Sequence, residues 1–289
     1  MLTDPALRKA LEAIYPSGEA SAIVRWLLAE NLPQAEYASA ASRLLLGEPL
    51  QYVLGYSEFY GRRFNVNPSV LIPRPETEYL CRLVIDEAKR LYGDRKLRIL
   101  DLCCGSGCIT WTLAGELRCE KVCGVDISSE ALSVAAGQFD GGRDFQSGPS
   151  ASGHPVSSSS GLSFNSGLSS SSGLSSNSGL SSSSGLSSSS GLSFSSELSS
   201  SSEPSFSSGL PEFVRGDILG TLPDIGGGYD IIVSNPPYIT EKEKAQMHRN
   251  VLEHEPSLAL FVPDDDPLRF YKAIAGKVLS GRGAASGGL

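Results

Sequence analysis

Apolar residues in the first part of the chain recur at spacings of three and four, as on one face of a helix. Asp4-Pro5 places a capping residue before a proline, which is favoured at the first helical position. Two further stretches, over residues 20–30 and 37–46, continue the pattern up to Gly47. The pattern predicts a small helical bundle over residues 3–46, with a lone amphipathic face left for a partner as the alternative.

The pattern changes to aromatic residues and glycine over residues 47–64. Within it the stretch FYGRRF, at 59–64, predicts the connection of a β-hairpin. Pro73 and Pro75 then hold the chain extended. Because acidic residues follow Pro75 directly, we expect a helix to begin there and to run to about residue 91.

Beyond residue 96, short apolar strands alternate with amphipathic helices. Strands are predicted at 97–102, 121–125, 212–217 and 229–233, and helices at 109–117, 129–139 and 268–279. Because strand and helix alternate, an α/β fold with a doubly wound parallel sheet is the economical inference.

One segment interrupts this alternation, since residues 147–210 are mostly serine and glycine. Within it a six-residue unit, most often GLSSSS, repeats eight times between Gly161 and Ser208. One leucine per unit buries too little apolar area to offset the chain entropy, so we expect a disordered insertion. A hexapeptide β-solenoid is the alternative, but its faces need more apolar positions than these units have.

Charge and cysteine content narrow the class of protein. A net charge of −8 argues against a dedicated nucleic-acid binder, although a local basic patch is compatible with an acidic total. The six cysteines lack the spacing of a disulfide scaffold and have no histidine near them, so we expect reduced thiols and no metal site. We see neither an apolar signal-peptide core nor an apolar run of about 18 residues, and we expect a soluble, cytoplasmic protein.

The sequence DLCCGSGCI, at residues 101–109, joins a predicted strand to a helix. Gly105 and Gly107 allow backbone amides and a helix N-terminus to approach a ligand closely, as in nucleotide sites. Asp126 ends the next strand, where a carboxylate can accept both hydroxyls of a ribose. The alternative is that Asp126 only caps the helix near Ser128. A dehydrogenase would use similar geometry, so these residues alone do not identify the reaction.

A predicted strand runs directly into Asn-Pro-Pro-Tyr at residues 235–238, which by itself is typical of a strand-ending turn. At the carboxyl end of the sheet, however, we expect Asn235 to face the same crevice as the glycine loop. Its amide and the Pro236 carbonyl can accept the N–H bonds of an –NH₂ group on a planar carbon. Aiming such a poor nucleophile at an electrophilic methyl is catalysis by positioning and electrostatics. Tyr238 would wall the planar group, and S-adenosylmethionine would be the methyl donor.

Two stretches carry a resemblance to a known family, namely GEPLQYVLGYSEFYGRRFNVNPSVLIPRPETE at 47–78 and VSNPPYI at 233–239. Over residues 1–140 and 211–275 the chain resembles the release factor glutamine N5-methyltransferases. The resemblance implies methylation of the side-chain amide of the glutamine in the Gly-Gly-Gln loop of peptide chain release factors. We expect no direct contact with nucleic acid or membrane.

The resemblance also implies a division of the chain. We expect a helical substrate-binding domain at 1–46, a β-hairpin linker at 47–75, and a Rossmann-like S-adenosylmethionine-dependent domain at 76–146 and 211–289, split by the insertion at 147–210. The family continues through additional strands, whereas this chain ends SGRGAASGGL, so we expect the C-terminal strands to be missing. The strand at 229–233 would then keep one open edge, which favours aggregation.

Individual residues receive functions by their position in the family's motifs. Donor contacts are implied at Cys103, Cys104, Gly105, Ser106, Gly107, Asp126, Asp217, Ile218 and Asn235. Substrate contacts are implied at Asn235, Pro236, Pro237 and Tyr238, with Asn235 and Pro236 as the catalytic residues. The family usually has glycine where this chain has Cys103.

Two other functions are compatible with these motifs. The first is an amino-methyltransferase that acts on DNA adenine or on another protein glutamine, because the clamp suits any such amine. The second is an inactive fragment of the family.

Overall fold

A computed structural model describes residues 4–139 and 210–284, with side chains described up to residue 279. The insertion predicted at 147–210, with its repeat, lies outside these residues, apart from its last position at Leu210. No helix within the described ranges combines the length and the apolar character needed to cross a membrane.

Four helices form the N-terminal part of the chain. They are α1 (Asp4–Leu11), α2 (Ser17–Ala29), α3 (Gln34–Leu45) and α4 (Leu50–Leu54). The first three pack around a shared apolar core that contains the fully buried side chains of Leu7, Leu11, Leu27 and Leu44. The sequence predicted no helix where α4 lies, and its five residues are too few to show a periodicity. A proline precedes α4, and the left-handed Gly55 ends it.

The predicted β-hairpin is confirmed and consists of β1 (Tyr56–Phe59) and β2 (Arg62–Asn65). Its two-residue turn has positive φ at Tyr60 (50°) and Gly61 (72°), the signature of the tight turn that suits twisted strands. Phe64 contacts Phe139 edge to face, with ring centroids 5.4 Å apart. This contact holds the hairpin against an apolar core that it shares with the four-stranded sheet described next.

The central part of the chain alternates helix and strand as predicted. Its elements are α5 (Pro75–Tyr92), β3 (Leu97–Leu102), α6 (Cys108–Glu116), β4 (Cys119–Asp126), α7 (Ser129–Ala136), β5 (Glu212–Arg215) and β6 (Ile231–Ser234). The four strands form a parallel sheet in the order β5-β4-β3-β6. The fold is therefore mixed α/β with a parallel central sheet.

Both faces of this sheet are covered, which the alternation of side chains along β3 requires. Leu97 and Ile99 belong to a core shared with residues of α5 and α6. Leu100 and Leu102 point to the opposite face and belong to a core to which Phe270 contributes. Parallel sheets are stable in this arrangement because neither apolar face meets water.

The last described segment winds past the carboxyl end of the sheet. It contains β7 (Ile239–Thr240), a 3₁₀ helix (Glu241–Gln246), α8 (Arg249–His254), a 3₁₀ helix (Ser257–Ala259), β8 (Phe261–Val262) and α9 (Arg269–Ala284). The helix α9 extends beyond the predicted end at residue 279, because isolated glycine and serine residues weaken a helix without ending it. Among the described strands, β3 alone pairs with β6.

Candidate active site

A cavity of about 370 Å³ lies at the carboxyl ends of the parallel strands. In open α/β sheets this edge is where ligands bind. The loops that follow β3, β4, β5 and β6 form part of the wall. Residues 69–74, Thr77, Pro256, Leu258, Ala259 and Phe270 also line it. The parallel register places these loops together, because Leu102 is paired with both Val125 and Ser234.

The glycine loop after β3 contains three residues with left-handed backbone, namely Cys103 (φ 62°), Gly105 (φ 54°) and Gly107 (φ 77°). A side chain is disfavoured in this region, so Cys103 keeps a backbone that glycine adopts more readily. A Cβ at Gly107 would lie 3.0 Å from the Cβ of Ala135, whereas a Cβ at Gly105 would meet open space. Gly107 therefore permits close helix packing, and Gly105 leaves room on the ligand side.

Asp126 holds the glycine loop through its carboxylate. One oxygen accepts a hydrogen bond from the Gly105 amide at 2.9 Å, and the other accepts from the Ser128 amide at 3.0 Å. The cap of α7 is the Ser128 hydroxyl, which accepts from the Ala131 amide. Each carboxylate oxygen keeps a further lone pair, so Asp126 can accept hydroxyl groups from the cavity while it anchors the loop.

Asn235 lies directly after β6 on the cavity wall. Its Nδ2 donates a hydrogen bond to the Thr77 hydroxyl at 3.1 Å. The Ser234 hydroxyl donates to the Leu102 carbonyl at 2.6 Å, and this contact ties the end of β6 to the end of β3. The sequence therefore brings an amide to the same cavity as the loop anchored by Asp126.

The structure places most of the predicted site residues together. The cavity is lined by Cys103, Cys104, Gly105, Ser106, Asp126, Asp217, Ile218, Asn235 and Pro237. Gly107, Pro236 and Tyr238 are absent from its lining. Pro236 is buried, whereas 55% of the Tyr238 surface is exposed, so neither ring walls the cavity in this conformation. Their contacts with a substrate remain predictions.

Comparison with curated proteins finds relatives that share one name. A release factor glutamine methyltransferase of Bacteroides thetaiotaomicron is 33% identical over 93% of this chain and 78% of its own length. Proteins of the same name from Flavobacterium psychrophilum and Bacillus subtilis are 32% and 33% identical, over 63% and 56% of their lengths. No protein-family model matches the chain.

This chain belongs to the release factor glutamine methyltransferase family. The matches to the Flavobacterium psychrophilum and Bacillus subtilis proteins extend over 85% and 78% of this chain. In this member of the family, the two stretches that carry the resemblance, 47–78 and 233–239, meet in space through the contact between Thr77 and Asn235.

An ion pair that the sequence analysis did not single out supports the cavity wall of this family member. The Arg74 guanidinium lies 2.6 Å from the Glu255 carboxylate, whose side chain is 1% exposed. The second Glu255 oxygen accepts from the Ile72 amide at 3.3 Å. The pair joins the segment before α5 to the segment after α8, which both line the cavity. The two partners are 181 residues apart in the sequence, so no local pattern could indicate the contact.

The cysteines around the glycine loop are uncharged at neutral pH. Burial raises the pKa of Cys103 and of Cys108 to about 12, and it raises that of Cys104 well above the usual value. No cysteine of the described ranges forms a disulfide. No group of three His, Cys, Asp or Glu residues there is arranged to hold a metal ion.

Asp101 is a fully buried carboxyl group beneath the glycine loop. The Thr110 hydroxyl donates to its Oδ2 at 2.6 Å, while its Oδ1 has no hydrogen-bond partner among the described residues. Burial raises the pKa of Asp101 to about 7, and the charge of Asp126 adds to this, against the lowering effect of Thr110. The sequence around Asp101 does not indicate that its carboxyl group is buried, because this burial depends on the helix that covers the strand.

We predict that Asp101→Asn removes a pH dependence of stability. Between the unfolded value of 3.8 and the folded value of about 7, the folded state of the parent protein binds more protons. Its free energy of unfolding therefore falls as the pH rises through this range, by at most about 1.4 kcal/mol per pH unit. Urea unfolding at pH 5, 6, 7 and 8 gives the free energy of unfolding of the parent and of the variant. The parent value minus the variant value should decrease up to about pH 7 and then level off. A pH-independent difference would contradict the raised pKa.

Proposed function

We propose that this protein transfers a methyl group from S-adenosylmethionine to the side-chain amide nitrogen of the glutamine in the Gly-Gly-Gln loop of peptide chain release factors. The observation that carries the proposal is the position of Asn235. It lies on the same cavity as the loop anchored by Asp126, in a chain of the release factor glutamine methyltransferase family. The proposal includes a Rossmann-like donor-binding domain.

The residues of the cavity fit this donor. The Asp126 carboxylate keeps acceptor capacity for ribose hydroxyls, and the adjacent loop leads into the N-terminus of α6. Ile127, Ile218 and Leu219 form an apolar part of the wall, which suits a planar base. A volume of about 370 Å³ falls within the range of small-molecule sites. When bound, S-adenosylmethionine supplies an electrophilic methyl group.

The acceptor requires positioning more than activation by a strong base. The lone pair of an amide nitrogen is delocalised into its carbonyl group, which makes it a poor nucleophile. The Asn235 Oδ1 and the Pro236 carbonyl can each accept one of its N–H bonds and so fix the direction of the nitrogen. These acceptors also stabilise the positive charge that develops on the nitrogen as the new bond forms.

The function is tested by methyl transfer to a purified, folded release factor in the presence of labelled S-adenosylmethionine. We expect the label on the factor, and we expect its loss when the loop glutamine is replaced by alanine, because that change removes the acceptor nitrogen. Mass spectrometry of the loop peptide locates the methyl group. Labelling of duplex DNA but not of the factor would refute the proposal, as would transfer to the alanine variant.

We predict that Asn235→Ala nearly abolishes this activity. Loss of a hydrogen bond to the reacting group should raise the barrier by about 2.7–4 kcal/mol, or 10²–10³-fold in kcat, by analogy with oxyanion donors. Donor affinity should change less, because the side chain acts mainly on the acceptor. Steady-state kinetics and calorimetric titration separate the two effects. Near-normal turnover would rule out the clamp.

We also predict that Asp126→Ala weakens the binding of S-adenosylmethionine by about 1.5–3 kcal/mol, because hydrogen bonds to a charged acceptor are lost. Asp224→Ala is the matched control. Asp224 is an exposed carboxylate that accepts from the Gly226 amide at 3.0 Å outside the cavity, so its removal should leave donor affinity unchanged. Equal affinities for the parent and Asp126→Ala proteins would limit Asp126 to a structural role in the loop.

A further inference from the structure

Gln138 is a buried amide side chain that joins two parts of the fold. It follows the end of α7 and is 6% exposed. Its Oε1 accepts from the Asn65 amide at 2.7 Å, while its Nε2 donates to the carbonyls of Asn65 and Ser106, each at 2.9 Å. Asn65 ends β2, and Ser106 belongs to the glycine loop that lines the cavity. One side chain therefore links the hairpin to this loop.

The three partners determine which end of the Gln138 carboxamide faces which group. A backbone N–H can only donate, and a backbone carbonyl can only accept. A half-turn of the carboxamide would set its NH₂ group against the Asn65 N–H, and its oxygen against two carbonyl oxygens. Towards Asn65 the side chain exchanges both bonds, as a residue of a neighbouring strand would. The observed orientation is the one of the two that forms all three hydrogen bonds.

The glycine loop is held on both sides of the peptide unit that contains the Ser106 amide. On one side, the Asp126 carboxylate accepts from the Gly105 amide at 2.9 Å. On the other side, Gln138 binds the Ser106 carbonyl. Between these anchors, the Ser106 amide has no hydrogen-bond partner among the described residues, and the residue is 3% exposed. Because an unpaired buried N–H is costly, this group suits a ligand that accepts its hydrogen bond.

We propose that Gln138 is a positioning residue, which orients the Ser106 amide towards S-adenosylmethionine in the cavity. Gly105 and Gly107 flank Ser106 and permit many backbone conformations, so an anchor outside the loop is needed to select one. Gln138 does not line the cavity and acts through the loop. The inference rests on the proposed function and adds to it a residue from another element.

The backbone around Gln138 is itself fixed by aromatic packing. The Phe139 ring lies 5.1 Å from that of Trp111 and 5.4 Å from that of Phe64, edge to face in both cases. On the other side, the Trp111 Nε1 donates to the Ala135 carbonyl at 2.8 Å. A functional loop supported by such a layer of contacts keeps its geometry better than an unsupported one.

The test measures donor affinity by calorimetric titration of the full-length chain with S-adenosylmethionine. Gln138→Glu keeps an acceptor for the Asn65 amide but removes the donor to Ser106. We expect the donor Kd to rise about tenfold, the equivalent of one lost hydrogen bond, at an unchanged stoichiometry. Gln246→Glu is the matched control, because it makes the same change at an exposed residue outside the cavity lining. Its Kd should equal that of the parent.

Hydrogen exchange without the donor separates positioning from general stability. In Gln138→Glu, peptides that cover residues 62–66 and 103–107 should exchange faster than in the parent. Peptides that cover β4 and β6 should keep their parental rates, because only a global opening would expose them as well. Gln138→Met provides the same test if the carboxylate prevents folding, since its uncharged side chain has a similar length and lacks the carboxamide. We expect the same rise in donor Kd for this variant.

Several results would overturn the assignment of Gln138. They are a parental donor affinity in the Glu and Met variants, a lower stoichiometry at an unchanged Kd, faster exchange throughout the described chain, and an equal loss of affinity in Gln246→Glu. If the parent protein does not bind S-adenosylmethionine, the proposed function itself is refuted. A parent that binds the donor, together with insensitive variants of Gln138, refutes only the positioning role.

Discussion

The register of β3 against its two neighbours is the constraint on which the site depends. Asp101 is paired with Gly124 of β4 on one side and with Val233 of β6 on the other. A slip by one residue would turn every β3 side chain to the opposite face and expel Asp101 from its place below Thr110. It would also displace the loops along the sheet by about 3.3 Å. Since misplacing a catalytic group by about 1 Å can lower the rate about a hundredfold, the proposed reaction depends on this strand register.

The strand β6 depends on this register more than the others, because it pairs only with β3 among the described strands. Side-chain contacts supply what a second ladder would provide. The Ser234 side chain donates a hydrogen bond to the end of β3, and the Asn235 side chain donates one to the first turn of α5. Neither contact was expected from the sequence. They explain how a residue at the margin of the described sheet can still be held in place on the cavity wall.

Local patterns in the sequence predicted the elements well and their mutual contacts poorly. The bounds of β3 were correct to the residue, because a short apolar run ends at a glycine loop. The packing role of Gly107 could not be predicted from the sequence. A glycine that makes room for a ligand and a glycine that makes room for a neighbouring side chain, here Ala135, have the same sequence pattern. The Arg74–Glu255 pair and the Thr77–Asn235 bond join segments 181 and 158 residues apart. Such contacts depend on the topology of the sheet, which no periodicity records.

The protonation of the cysteines bears directly on the proposed reaction. A thiolate is a far better nucleophile than an amide nitrogen, and Cys103, Cys104 and Cys108 all line the cavity in which the methyl donor would bind. Burial keeps them as thiols by raising the pKa of each. Because the thiolate and not the thiol is the nucleophile, these residues can pack against the site without competing for the methyl group.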